Sequence, residues 1–147
     1  MGDVRCVSGV RLEELLLGAD AARHSVVLWD VASSGSDTAA LERLVLARRP
    51  HSRAFLASSA SPSAFVQRDM DAARGIVAAR AHQEGSGTGD AAAPHVWMLF
   101  VCRRGQARSP AAAAQFAHAG ALPANVTVGY IRGGWEALYN VWPQLQS

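Results

Sequence analysis

The sequence predicts an α/β domain, with a central, mainly parallel five-stranded sheet and helices on both of its faces. Three observations predict it. Short β-type runs alternate with segments of helical periodicity along the chain, the pattern of consecutive strand–helix units. One run, His95 to Val101, is almost continuously apolar, as a parallel strand covered on both faces must be. The 147 residues, half of them hydrophobic and 18% charged, suffice to bury one core without disulfides or metal, so residues 1–147 are read as a single domain.

The elements follow in order. Val4 to Val7 is a short first strand, and Leu12, Leu15, Leu16 and Leu17 place a helix after it that stops near Gly18. Val26 to Trp29 is a compact second strand ending in Asp30. A turn-rich stretch over 31–37 leads to a short helix marked by Leu41, Leu44 and Val45. Arg53 to Ala57 is a weak third strand, and Ala64 to Ala81 a longer helix introduced by Ser61-Pro62-Ser63. The glycine- and serine-bearing stretch at about 84–94 reads as a mobile surface loop inside the domain, because the 53 residues beyond it are too few to fold alone. His95 to Val101 is the fourth strand. Ser109 to Ala119 is a helix with Ser109 as N-cap, Pro110 in the first turn and Gly120 past its end. Val126 to Ile131 is the last strand and Trp135 to Val141 the last helix.

Composition excludes several classes. No run approaches 18 apolar residues, so no transmembrane helix and no membrane partner is expected. The first residues lack the basic-then-apolar build of a secretory signal, which predicts a cytoplasmic protein. The net charge is +2, and all 14 basic residues are arginine. No basic stripe is interleaved with aromatics, so nucleic acid is not an expected partner. Cys6 and Cys102 lie almost a domain apart and read as reduced thiols, Cys6 as a packed core residue. The five histidines show no metal-ligand spacing with either cysteine, so neither a metal nor another resident cofactor is expected. Trp135 and Trp142 read as core anchors.

The residues that carry chemistry follow the fourth strand. In parallel sheets the working surface lies at the carboxyl ends of the strands. Cys102 stands at such an end, followed by Arg103, Arg104, Gly105, Gln106, Ala107 and Arg108, and then by the best-capped helix of the chain. A loop of this length can turn successive backbone N–H groups inward to form an anion-binding nest. The helix start behind it adds unpaired N–H groups and the positive end of a dipole. A thiolate held there is stabilised, and Arg108 can clamp two oxygens of a tetrahedral oxyanion. Gly105 lets the mid-loop backbone approach a ligand, and Ser109 is placed to donate to the sulfur as well as to cap. Arg103 and Arg104 make the mouth attractive to anions.

Phe100-Val101-Cys102-Arg103-Arg104-Gly105-Gln106-Ala107-Arg108-Ser109-Pro110 resembles the active-site segment of the rhodanese superfamily. Tyr130-Ile131-Arg132-Gly133-Gly134-Trp135-Glu136-Ala137-Leu138 is similar to that family's turn after the last strand. Leu28-Trp29-Asp30 resembles a third element, and Pro50-His51-Ser52-Arg53-Ala54 only echoes a fourth. The resemblance covers about residues 95–142 and is faint before them. It implies a three-layer rhodanese-like domain.

Within that superfamily, sulfurtransferase loops have six positions. The branch resembling cell-cycle dual-specificity phosphatases and eukaryotic arsenate reductases has seven, C-x5-R, and encloses a larger anion. This chain has the longer form, and its Arg-Gly-Gly-Trp-Glu-Ala turn looks like that of the eukaryotic arsenate reductases. It departs from the phosphatases in carrying Val101 where they commonly carry histidine, and in having no acidic residue in the loop. The resemblance implies a phosphatase or arsenate reductase with Cys102 as nucleophile and Arg108 and Ser109 as its partners. Arg103, Arg104, Gly105, Gln106 and Ala107 would bind substrate, and Asp30 and Arg132 would support them from behind. The substrate is a small oxyanion or a phosphorylated compound, with glutathione or another thiol, and glutaredoxin, as co-reductants for arsenate. A sulfurtransferase working through a Cys102 persulfide, and a non-catalytic anion-binding module, are the alternatives.

Overall fold

The structure, a computed structural model, describes residues 4–19, 21–31, 36–50, 52, 54–58, 67–82, 95–106, 108–118 and 122–146. Strand β1 (Val4–Val7) leads to helix α1 (Gly9–Leu17), a single 3₁₀ turn, Ala21–Arg23, and strand β2 (His24–Asp30). Helix α2 (Ser36–Arg48), strand β3 (Phe55–Ser58) and helix α3 (Gln67–Ala81) follow. Strand β4 (His95–Val101), helix α4 (Arg108–His118), strand β5 (Val126–Ile131), helix α5 (Gly134–Val141) and a 3₁₀ turn, Pro143–Gln146, complete the chain. The five strands form one sheet in the order β1-β5-β4-β2-β3, and every neighbouring pair is parallel.

Alternation along the two inner strands separates the cores. Val96, Met98 and Phe100 of β4 and Val27 and Trp29 of β2 face one side, where Met70, Ala73 and Val77 of α3 and Ala112, Ala113 and Phe116 of α4 cover them. Leu99 and Val101 of β4 and Val26 and Leu28 of β2 face the other side, against Leu12, Leu15 and Leu16 of α1, Leu41 and Val45 of α2 and Trp135 and Leu138 of α5. This is a three-layer α/β arrangement. The period of two in the strands puts successive side chains into different cores, which is why β4 had to be apolar at nearly every position. Trp135 and Trp142 are buried anchors of the second core, as their sequence setting suggested, although the indole N–H of each is buried without a partner.

Several boundaries move. Helix α1 is capped by Ser8, whose hydroxyl accepts the Arg11 N–H at 3.0 Å, and Gly18 ends it with its N–H on Glu14 O. Helix α2 is longer than the short helix expected, because its polar first and last turns hide the periodicity of Leu41 and Val45. Strand β3 lies one to two residues further on than expected, half-buried at a sheet edge. The helix start at 64–66 and its Ser-Pro-Ser lead, most of the turn before α2, and the loop at 84–94 lie outside the described residues. Cys6 is a correction: it is exposed, not packed. Strand β1 is an edge strand with β5 on one side only, so burial from a second neighbouring strand is missing. Among the described residues, no helix is long and apolar enough to cross a membrane.

The topology positions the site. Helix α2, leaving β2, packs on one face of the sheet, while α4, leaving β4, packs on the other. Strands β2 and β4 are neighbours, and the chain connections part to opposite faces at their carboxyl ends, the switch point at which parallel sheets commonly bind ligands. Val31 N–H donates to Val101 O at 2.9 Å and ties the two strand ends together there. Cys102 is the next residue of the chain.

Candidate active site

Cys102 leaves β4 with its sulfur turned back under the start of α4, and its residue is only 5% exposed. Four groups surround the sulfur. Gly105 N–H donates to Sγ at 3.2 Å, and Ser109 Oγ lies 3.2 Å from it. The backbone N–H groups of Ser109 and Arg104 act in the same direction, each favouring the thiolate. Burial pushes the Cys102 thiol up, and is the largest single influence. The Ser109 hydroxyl followed by the three backbone donors outweighs it, so the thiol is held below its ordinary value. The sulfur sits in a nest of N–H groups at a helix N-terminus, where a negative charge is favoured.

Ser109 is therefore not the N-cap expected of it. Helix α4 begins at Arg108, one residue earlier, which makes Ser109 the second helical residue. Its hydroxyl, on a residue that is 0% exposed, serves the sulfur instead of a backbone amide. Pro110 falls in the first turn, where its missing N–H costs nothing. Ala107, the residue before the helix, lies outside the described residues, as do 119–121.

The loop owes its shape to the turn after β5. Trp135 N–H donates to Cys102 O at 2.9 Å, and Glu136 N–H donates to Arg103 O at 3.1 Å. Gly105 adopts φ +70°, Gly133 φ +77° and Gly134 φ +58°. A Cβ on Gly105 would lie 2.5 Å from Ile131 O and 2.8 Å from the nitrogens of Gly133 and Gly134. Gly105 is thus required for contact with the turn behind the loop, in addition to the ligand approach its sequence position suggested.

The arginines divide. Arg103 and Arg104 are exposed, but both guanidinium groups lean on α5: Arg104 Nε is 3.6 Å from Glu136 Oε2, and the Arg103 guanidinium hydrogen-bonds Tyr139. The Tyr139 hydroxyl donates to Asp37 Oδ2 at 2.9 Å. Burial raises the Tyr139 pKa above the usual phenol value, and the bond and charge of Asp37 reinforce this against the opposing pull of Arg103. Arg108 is exposed in the first turn of α4 and makes no ion pair among the described residues. Gln106 is exposed and Gly105 half-buried.

The two supporting residues make contacts of their own. Asp30 is 1% exposed, and its Oδ2 is 3.4 Å from Thr38 Oγ1, which lies 3.2 Å from Ser58 Oγ. That cluster ties the ends of β2 and β3 to the first turn of α2, on the sheet face opposite to Cys102. Arg132 is exposed, and its backbone N–H binds Val7 O at 2.8 Å. Glu136, Tyr139 and Asp37 were missed by the sequence reading. Asp37 carried no signal for this role, and Glu136 only its place in the turn motif. Among the described residues, no group of histidine, cysteine or carboxylate side chains is placed to hold a metal. No family model, curated protein or solved structure matches the chain.

Proposed function

We propose that the protein is a cysteine-dependent enzyme of rhodanese-like type, a phosphatase or an arsenate reductase that attacks the central atom of a tetrahedral oxyanion. The observation that carries this reading is the Cys102 sulfur held by the Gly105 N–H and the Ser109 hydroxyl at the start of α4, with Arg108 in the first turn of the same helix. A cation in the first turn of a helix opposes the macrodipole. Arg108 occupies that position without a carboxylate partner among the described residues, and a bound oxyanion supplies the missing negative charge.

In the phosphatase reaction the Cys102 thiolate forms a bond to phosphorus. The ester oxygen leaves with its electron pair and takes a proton, and water then hydrolyses the thiophosphate. In arsenate reduction the thiolate displaces one arsenate oxygen as water, forming a sulfur–arsenic bond. A glutathione thiolate then attacks Sγ, and the bonding pair stays on arsenic. Arsenite leaves, and Cys102 is left in a mixed disulfide that a second thiol reduces. In both reactions the inward N–H groups and Arg108 stabilise the charge that develops on the oxygens.

One side-by-side assay tests the reading: an aryl phosphate, arsenate with glutathione, and thiosulfate with cyanide. Turnover of either of the first two substrates, abolished in Cys102→Ser, is the expected result. Turnover of thiosulfate alone overturns it in favour of sulfur transfer. Phosphate binding with no turnover of any substrate reduces the protein to an anion-binding module.

A further inference from the structure

We propose that the turn Gly133-Gly134 and the first residues of α5 are the positioning element of the Cys102 loop, an interlock that aims its peptide N–H groups at the sulfur. A trans peptide is planar, so its N–H points away from its C=O. Trp135 N–H holds the carbonyl of the 102–103 peptide, and Glu136 N–H holds that of the 103–104 peptide. With both carbonyls drawn toward α5, the N–H groups of Arg103 and Arg104 are forced to the opposite side of the loop. The Arg104 N–H is thereby turned to the side of Sγ, where it helps to lower the thiol pKa.

The contact is reciprocal and tight. A Cβ on Gly134 would collide with Cys102 O and would lie 2.7 Å from the carbonyl carbon and oxygen of Arg103. A Cβ on Gly105 would strike the turn from the other side. Neither surface can accept a side chain without the loop moving, and Gly105 also donates to Sγ. The ion pair of Arg104 with Glu136 and the hydrogen bond of Arg103 to Tyr139 fasten the same loop to the same helix. Positioning of the loop is therefore assigned to residues that do not touch a substrate: Gly134, the backbone N–H groups of Trp135 and Glu136, and the side chains of Glu136 and Tyr139.

The test compares two glycines of the same turn. Both Gly133 and Gly134 have positive φ, so alanine strains the backbone at either one. A Cβ on Gly133 points instead at Ala137 Cβ, 2.8 Å away on its own helix. In a Cys6→Ser background, which leaves Cys102 as the only thiol, the rate of alkylation by iodoacetamide is followed against pH for wild type, Gly133→Ala, Gly134→Ala and Gly105→Ala. Urea unfolding confirms that each variant is folded.

Gly134→Ala and Gly105→Ala are expected to raise the apparent thiol pKa by about one unit or more, a roughly tenfold loss of thiolate at acidic pH. Gly133→Ala is expected to lose stability while its pH profile stays in place. An equal shift in all three variants, or no shift in Gly134→Ala, overturns the proposal. If Gly134→Ala does not fold, Gly105→Ala, whose Cβ strikes the same turn from the loop side, carries the test, and an unchanged profile there overturns the proposal equally. Iodoacetamide needs no oxyanion, so failure of the phosphatase or arsenate reading leaves this result standing. Failure here leaves that reading untouched.

Discussion

Replacing Ser109 by alanine isolates one of the four donors around the sulfur. The residue is 0% exposed, and its hydroxyl is 3.2 Å from Sγ. Alanine is a strong helix former and removes one oxygen without adding volume, so α4 keeps its start. A hydrogen bond to a charged group is worth about 1.5–3 kcal/mol, and one pKa unit corresponds to about 1.36 kcal/mol. The thiol should therefore rise by about one to two units. The Ser109 hydroxyl is the largest of the influences that lower the Cys102 pKa, so the upper half of that range is the better target. In a Cys6→Ser background, the iodoacetamide rate at a pH well below the transition should fall about 10- to 100-fold. At high pH, where both thiols are ionised, the rates should converge. Loss of the 240-nm thiolate absorbance at neutral pH gives a second readout. An unchanged or lower pKa in a folded Ser109→Ala protein would show that the hydroxyl donates elsewhere, and that the backbone alone sets the acidity of the thiol.

Three further outcomes are expected. Phosphate or sulfate should raise the melting temperature of Cys102→Ser, because the cradle survives loss of the nucleophile. The same anions should raise that of Arg108→Ala much less, and equal shifts in the two variants would remove Arg108 from the cradle. Phe116 is 0% exposed on α4, with its ring centroid 5.8 Å from that of Phe100. Phe116→Ala should cost about 3–5 kcal/mol in urea unfolding, and a cost below about 1 kcal/mol would contradict the packing of α4 on β4. His95, whose pKa is lowered by burial and then by the nearby His24 and Arg5, resists protonation in the folded state. Below the ordinary histidine value the unfolded chain binds the extra proton, so stability should fall as pH drops from about 6.5 through the lower folded value. His95→Gln should flatten that slope, and an unchanged slope would assign it to other groups.

The parts legible in the sequence were those set by local pattern. Strand β4 was read with its observed bounds because burial on both faces leaves an uninterrupted apolar run. Helix α1 ended where Gly18 said it should. Cys102 was singled out by the strand before it and the helix after it, and the structure brings Gly105 and Ser109 to its sulfur. The misses depended on contacts that no local rule contains. Ser-Pro reads as a cap followed by a first helical residue, yet the helix gains an extra residue at Arg108, and the Ser109 hydroxyl is claimed by a buried sulfur. Cys6 alternates correctly along its strand, but nothing in four residues says that the strand lies at an edge. The glycines at 133 and 134 looked like a hinge, and their partner carbonyls lie more than thirty positions earlier in the chain. Nothing in the loop sequence signals that Arg103 and Arg104 contact α5, because Tyr139 and Glu136 sit on another element.

The places where local preference is overruled are gathered at one end of the sheet. All three glycines with positive φ among the described residues meet beside Cys102, and each one presses backbone against backbone or, for Gly133, against its own helix. An arginine stands at the positive end of α4, where a carboxylate would be favoured. A thiol in a buried position is held toward its charged form, when burial alone would keep it neutral. None of these features improves the fold, since each has a more stable substitute: a less crowded turn, an acidic first turn, an aliphatic side chain in place of the thiol. Together they suit a site that holds a negative charge at the sulfur, and under the proposed function a second one would bind beside it. Elsewhere among the described residues the elements largely follow local rules, with alternating inner strands and a serine cap on α1, the buried indole N–H groups of Trp135 and Trp142 being exceptions. Departures from local preference among the described residues thus concentrate around one thiol, the arrangement expected if the proposed role of Cys102 is correct.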